Sequence, residues 1–137
     1  MNVTPYLMFN GHCEEAINFY KAELGAEVLA MLRFKENPPP PDKVPPNWDN
    51  KIMHSCFKIG DTQIMATDGD SADKRGFNGV TLSIQVNSEA EADRAFNGLS
   101  KGGQVKMPLA KTFFSPRFGM VSDRFGVSWM VVTSPTT

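Results

Sequence analysis

The chain has 137 residues, 41% of them hydrophobic and 21% charged, with a net charge of −1. That length suits one domain and buries roughly 68% of the unfolded surface, enough for a core without staples. The balanced, scattered charge leaves no basic stripe for nucleic acid or an anionic membrane. No apolar run approaches the roughly 18 residues of a membrane helix. The opening MNVTPYLMFN lacks the basic n-region and long apolar stretch of a secretory signal. Cys13 and Cys56 make no disulfide framework and no CxxC pair, so a cytoplasmic protein with reduced thiols is expected.

In chain order, Val3 to Phe9 is apolar and stops at Asn10-Gly11, a strand ending in a turn. In CEEAINFYKAELG, Cys13, Ile17, Tyr20 and Leu24 share a helical face with Ala16 beside them. Glu14 and Glu15 suit the positive end of the helix dipole, and Gly25 is placed to end the helix in the left-handed conformation. AEVLAMLRF, 26–34, follows as a strand. Residues 35–50 hold six of the ten prolines. Proline lacks an amide proton and restrains the residue before it, so this reads as a stiff exposed loop. It is either a surface excursion, a contact surface, or a lid with Trp48 folding back onto a pocket. IMHSCFKIG and TQIMATDG form a hairpin across Gly60-Asp61. DGDSADKRGFNG, 68–79, is a polar linker. Its aspartates lack the glycine and glutamate positions of a calcium loop.

The pattern then restarts. In VTLSIQV, Val80, Leu82, Ile84 and Val86 take one face; Thr81, Ser83 and Gln85 take the other. Ser88 with Glu91 is a capping box. Ala92, Ala95, Phe96 and Leu99 form the buried stripe of the following helix, which Gly102-Gly103 ends. Strands are expected in QVKMPLAKTF, RFGMVSD and VSWMVVT, with Asp123 capping the Asp123–Gly126 turn through its side chain. The order strand, helix, strand, strand, strand thus occurs twice, about 77 residues apart from Val3 to Val80. It marks an internal repeat of supersecondary structure. Module one covers about 1–69, a linker 70–78, and module two about 79–137.

This double βαβββ order resembles the vicinal oxygen chelate superfamily of glyoxalases, extradiol dioxygenases and bleomycin- and fosfomycin-resistance proteins. "YLMFNGHCEEAINFY" (6–20), "KIMHSCFKIGDTQIMATD" (51–68) and "FGMVSDRFGVSWM" (118–130) are similar to its PhnB-like branch, which also carries the label 3-demethylubiquinone 3-methyltransferase. The resemblance implies an α+β fold in which the two modules form a curved mixed sheet around a central cleft. It also implies a homodimer and metal ligands on the first and last strand of each module. Those positions fall near Pro5, Met65, Thr81 and Met130, none of which is a hard donor, so no metal centre is expected. Methyl transfer finds no support either. The strands do not alternate with helices, and only Asn10-Gly11 follows the first strand where a Gly-rich loop would stand.

Six residues are expected to face a ligand. Thr81, Ser83 and Gln85 form a polar face that a ligand or ordered water would satisfy. His54, in phase with Cys56, suits a general base, an anchoring donor or a lone metal ligand; the plain alternative is a structural histidine. Phe113 offers an aromatic wall, and Arg117 a bidentate clamp for a carboxylate or phosphonate; the plain alternative is core phenylalanine and a surface arginine. The leading expectation is a metal-independent small-molecule-binding protein. The rival is an enzyme whose divalent metal, held by an atypical set including His54, acts as a Lewis acid. A dimeric interaction module using the proline-rich loop is the third.

Overall fold

The computed structural model describes residues 1–36, 44–70 and 76–134. The chain divides into two compact units, Met1–Arg75 and Gly76–Thr137. The first contains β1 (Tyr6–Met8), α1 (Cys13–Leu24), β2 (Glu27–Arg33), a short 3-10 turn (Phe34–Glu36), β3 (Ile52–Ile59) and β4 (Thr62–Thr67). The second contains β5 (Thr81–Val86), α2 (Glu89–Ser100), β6 (Gln104–Ala110), β7 (Phe118–Ser122) and β8 (Ser128–Thr133). Each unit builds its own four-stranded mixed sheet, ordered β1-β4-β3-β2 and β5-β8-β7-β6. The expected βαβββ order is therefore present twice, and the fold class is α+β.

In each sheet the first strand runs parallel to the last and the other pairings are antiparallel. A parallel pair needs a crossover, which the helix and the intervening strands supply. Local signals place the helix ends. Gly25 caps α1 at φ 68°, ψ 29°, and its N–H reaches the Tyr20 carbonyl. Ser88 caps α2 by accepting the Glu91 N–H at 3.1 Å. Pro108 sits in β6, an edge strand, where a missing ladder donor is tolerated. The register slips between Met107 and Ala110 around it.

The core of each unit lies between its helix and one sheet face. Cys13, Ala16, Ile17 and Tyr20 of α1 are buried, and Tyr20 stacks on Phe57 of β3 at 6.0 Å. Phe19 is also buried, outside the expected stripe, while Leu24 is half-exposed. In α2 the buried set is Ala92, Phe96, Gly98 and Leu99, with Ala95 only half-buried. Arg33 of β2 ties the first unit together with a bidentate pair to Glu14 at 3.0 and 2.7 Å and a 2.7 Å bond to the Asn50 carbonyl.

Two residues in stretches that read as loop are buried. Asp68 is no linker residue. It is buried, and its carboxylate accepts the Cys13 N–H at 2.8 Å and the Ile52 N–H at 2.7 Å, fastening α1 to β3. Trp48 is buried against Phe34, ring centroids 6.1 Å apart, and stands beside Gly11. Most of the polyproline run, 37–43, lies outside the described residues.

Candidate functional site

Leu82, Ile84 and Val86 of β5 are half-buried on the helix side, whereas Thr81, Ser83 and Gln85 are all exposed on the helix-free face. The alternation follows from the two-residue period of a strand. Register then extends this face across the sheet. Ser83 pairs with Met130, Met130 with Met120, and Met120 with Met107. One row up, Gln85 pairs with Val132 and Val132 with Phe118. Gln85 Nε2 donates to Ser134 Oγ at 2.7 Å, which fixes its amide. The result is a row of hydroxyl and amide groups beside thioethers and an aromatic ring.

The loop between β6 and β7 continues this surface. Phe118 meets Phe114 edge-on at 5.1 Å, and Phe114 meets Phe113 edge-on at 5.1 Å. Phe113 is fully exposed. Ser115, buried, sets the loop's path: its hydroxyl lies 2.7 Å from both the Arg117 and Thr133 carbonyls. Thr112 Oγ1 accepts the Ser115 N–H at 3.1 Å and tightens the turn. Sequence reasoning passed over Ser115 and Thr133; the Ser-Pro step and the threonine ending β8 were the available signals.

Beside this loop is an open pocket of about 470 Å³, lined chiefly by Glu89, Lys111, Thr112, Phe113, Phe114 and Arg117. That volume is within the range of small-ligand sites. Arg117, however, is turned toward α2. Its guanidinium lies 3.3 Å from Asp93 and 3.6 Å from Glu89, and its Nε is buried without a hydrogen bond. An incoming carboxylate or phosphonate would have to compete with two resident carboxylates.

The six sequence candidates therefore form three groups. Thr81, Ser83 and Gln85 share one face. Phe113 joins it through Phe114 and Phe118. Arg117 lines the neighbouring pocket within an internal ion-pair cluster. His54 is in the first unit, half-buried on β3, its ring edge-on to Tyr6 at 5.9 Å.

The positions near Pro5, Met65, Thr81 and Met130, where the resemblance implied metal ligands, can be tested by donor chemistry. Met65 N donates to the Pro5 carbonyl at 2.9 Å, and Ser83 rather than Thr81 is the partner of Met130. Proline, thioethers and hydroxyls do not fit a hard divalent ion, which wants carboxylate and imidazole. Among the described residues no group of three or more His, Cys, Asp or Glu side chains is gathered for a metal. The turn acid Asp123 is likewise committed elsewhere: Oδ1 accepts the Phe125 and Val127 N–H groups at 2.8 and 3.1 Å. No helix among the described residues is long and apolar enough to cross a membrane.

Comparison with known proteins places this geometry in a family. The crystal structure of PA1353 from Pseudomonas aeruginosa is similar, with 44% identity, 98% of each chain covered and a TM-score of 0.86. YjdN of Escherichia coli K12 is 34% identical, covering 96% of this chain and 94% of that protein. A PhnB protein from Bacillus cereus, described as a putative 3-demethylubiquinone-9 3-methyltransferase, is 30% identical, covers 98% of this chain and 100% of that one, and has a TM-score of 0.80. At 15% identity the fold alone is shared with a glyoxylase/bleomycin resistance protein/dioxygenase domain from Frankia, 98% of each chain covered, TM-score 0.71. It is also shared, at 15% identity, with FosX of Listeria monocytogenes, 98% of this chain and 90% of that one, TM-score 0.63, solved with Mn(II) and sulfate. The sequence profile of the 3-demethylubiquinone-9 3-methyltransferase family matches residues 1–132. The chain belongs to that PhnB-like family, on the glyoxalase/bleomycin resistance/dioxygenase fold.

Proposed function

We propose that this chain is a small-molecule-binding protein of the glyoxalase/bleomycin-resistance type that works without the hard-metal centre of its distant relatives. The carrying observation is the exposed row Thr81, Ser83 and Gln85, set in register beside Met130, Met120 and Phe118. Such a face hydrogen-bonds the polar edge of a ligand and packs its apolar part against soft, adaptable surface. Phe113 and Phe114 form its aromatic rim. Arg117, with Lys111 beside it, supplies positive charge for an anionic substituent once Glu89 or Asp93 gives way. The methyl-transfer name of the family does not set the chemistry of this face. The strand order is not doubly wound, and no Gly-rich loop follows β1.

A homodimer accompanies this reading. Apolar side chains stand exposed on edge strands β1, β2 and β6, among them Tyr6, Met8, Leu32 and Met107. Edges of this kind favour pairing.

The test is a thermal-shift screen with small aromatic carboxylates and phosphonates, repeated with Ser83→Phe. Binding to the native state stabilises by RT ln(1 + [L]/Kd), about 2.7 kcal/mol at a hundredfold excess over Kd. The expected result is saturable stabilisation that Ser83→Phe abolishes while leaving the fold intact. Stabilisation that Ser83→Phe leaves unchanged would place the ligand elsewhere. One tightly held Mn, Fe, Co, Ni or Zn ion per chain in elemental analysis would overturn the metal-independent reading.

A further inference from the structure

The helix-free face of the first sheet gathers soft donors that neither the proposed ligand face nor the expected hard-ion positions use as a set. Cys56 on β3 is paired in register with Met65 on β4, and Met65 with Tyr6 on β1. Directly opposed residues have Cβ atoms roughly 4.5–5.5 Å apart, so the thiol-bearing and thioether-bearing side chains stand side by side on one face. His54 stands two residues before Cys56 on the same face, roughly 7 Å along the strand. Its ring meets Tyr6 edge-on at 5.9 Å. Tyr6 is two strands away, so this contact crosses β4, whose Met65 is the register partner of Tyr6. His54, Cys56 and Met65 are all half-buried, within reach of solvent and outside the packed core. Cys56 is a free thiol whose contact with Gln63 Oε1 is long, at 3.8 Å.

We propose that His54, Cys56 and Met65 form a binding site for a soft monovalent cation, with Cu(I) the biological member of that class. Thiolate and thioether sulfur select Cu(I) over hard divalent ions, and imidazole completes a three-coordinate set. Binding forms the copper–thiolate bond and releases the Cys56 proton to solvent. Two other sulfur sets are weaker rivals. Cys13 is buried, its thiol is pushed up to about 12 by that burial and by Asp68, and it keeps its proton. Met107, Met120 and Met130 are aligned across the second sheet but include no thiol. This proposal does not rest on the reading of the second sheet's ligand face, and its failure would leave that reading standing.

The experiment is an anaerobic titration of the reduced full chain with Cu(I) against a competing bicinchoninate chelator, following the near-ultraviolet thiolate-to-copper absorption. One Cu(I) per chain is expected. Cys56→Ser abolishes the absorption, and Met65→Leu and His54→Gln each lower affinity by at least about tenfold, a loss of about 1.4 kcal/mol. The variant with Met107, Met120 and Met130 all changed to Leu retains Cu(I). Failure of the wild-type chain to hold Cu(I) against the chelator overturns the proposal. So does binding that persists in Cys56→Ser. Should Cys56→Ser lose its fold by circular dichroism, Met65→Leu decides alone, and an unchanged affinity there also overturns the site.

Discussion

Trp129 donates its indole N–H to Asp123 Oδ2 at 2.8 Å, and both side chains are buried. The other carboxylate oxygen accepts the Phe125 and Val127 N–H groups, so one acid closes the β7–β8 turn and anchors the ring that follows it. An unmade buried hydrogen bond costs about 1–3 kcal/mol, more where a charge is involved. Asp123→Ala removes the acceptor of three donors and is expected to lower stability by roughly 3 kcal/mol or more. Trp129→Phe takes one donor from the carboxylate and leaves a small void, for about 1–3 kcal/mol. Urea midpoints at constant slope check both. A loss under about 0.5 kcal/mol for Asp123→Ala would remove this account of the turn.

Two glycines are held by close approach rather than by a positive φ. A Cβ on Gly119 would lie 2.8 Å from Phe96 Cε2 and 3.1 Å from Leu109 Cδ2, where α2 settles on β7. A Cβ on Gly103 would collide with the Ser122 carbonyl oxygen, which is backbone and cannot rotate away. Overpacking costs about 1–3 kcal/mol. Gly119→Ala is expected within that range, and Gly103→Ala at its top or beyond. Thermal melts that rank the two in the opposite order would show that β6 shifts more easily than α2.

What the sequence carried was local. Gly25, the Ser88 cap of α2 and the Gly60-Asp61 hairpin are each settled by a few neighbouring residues, and all three stand where expected. The two-residue period of β5 likewise put Thr81, Ser83 and Gln85 on one face. Long-range pairing left no such trace. Asp68 bonds Cys13 across 55 residues, and nothing in DGDSAD distinguishes that buried acid from its neighbours. Arg117 reads as a free clamp until α2 brings Glu89 and Asp93 against it. Phe19 falls off the expected stripe of α1 because helix periodicity does not encode what packs on a flank.

Stability toward acid should depend on Glu14. The hydrogen bonds from Arg33, and secondarily its charge and that of Lys51, hold the Glu14 carboxyl below its ordinary value of 4.5. On acidification the unfolded chain therefore takes up this proton first. The contribution is complete above pH 4.5 and is lost as the pH falls through the lower folded value. The pair is partly exposed, so its size is about 0.2–1 kcal/mol and shrinks with salt. Glu14→Gln should trail the wild type by a constant gap at pH 7 and 5, and the gap should shrink as the pH falls below 4.5. A gap that widens in acid would mean that Arg33 does not favour the ionised Glu14 in the folded chain.

The two thiols should differ sharply in reactivity. Thiolate is the attacking form, and burial, with Asp68 next, pushes the Cys13 thiol up to about 12. Cys13 is also enclosed at the start of α1, its N–H bound to Asp68 and its sulfur 3.9 Å from Ser55 Oγ. Cys56 is half-buried on the helix-free face of β3. A disulfide reagent at pH 8 should therefore label one thiol per native chain, and Cys56→Ser should label none until urea unfolds it. In the unfolded chain both thiols return to ordinary behaviour, so the wild type should then label two. Labelling of Cys13 in the folded Cys56→Ser variant at a rate independent of urea would mean that α1 opens locally at its first turn. That opening would have to break the bond from the Cys13 N–H to Asp68, so Asp68→Asn should accelerate it. If Asp68→Asn leaves Cys13 protected, packing of α1 against β3 shields the thiol and the carboxylate does not.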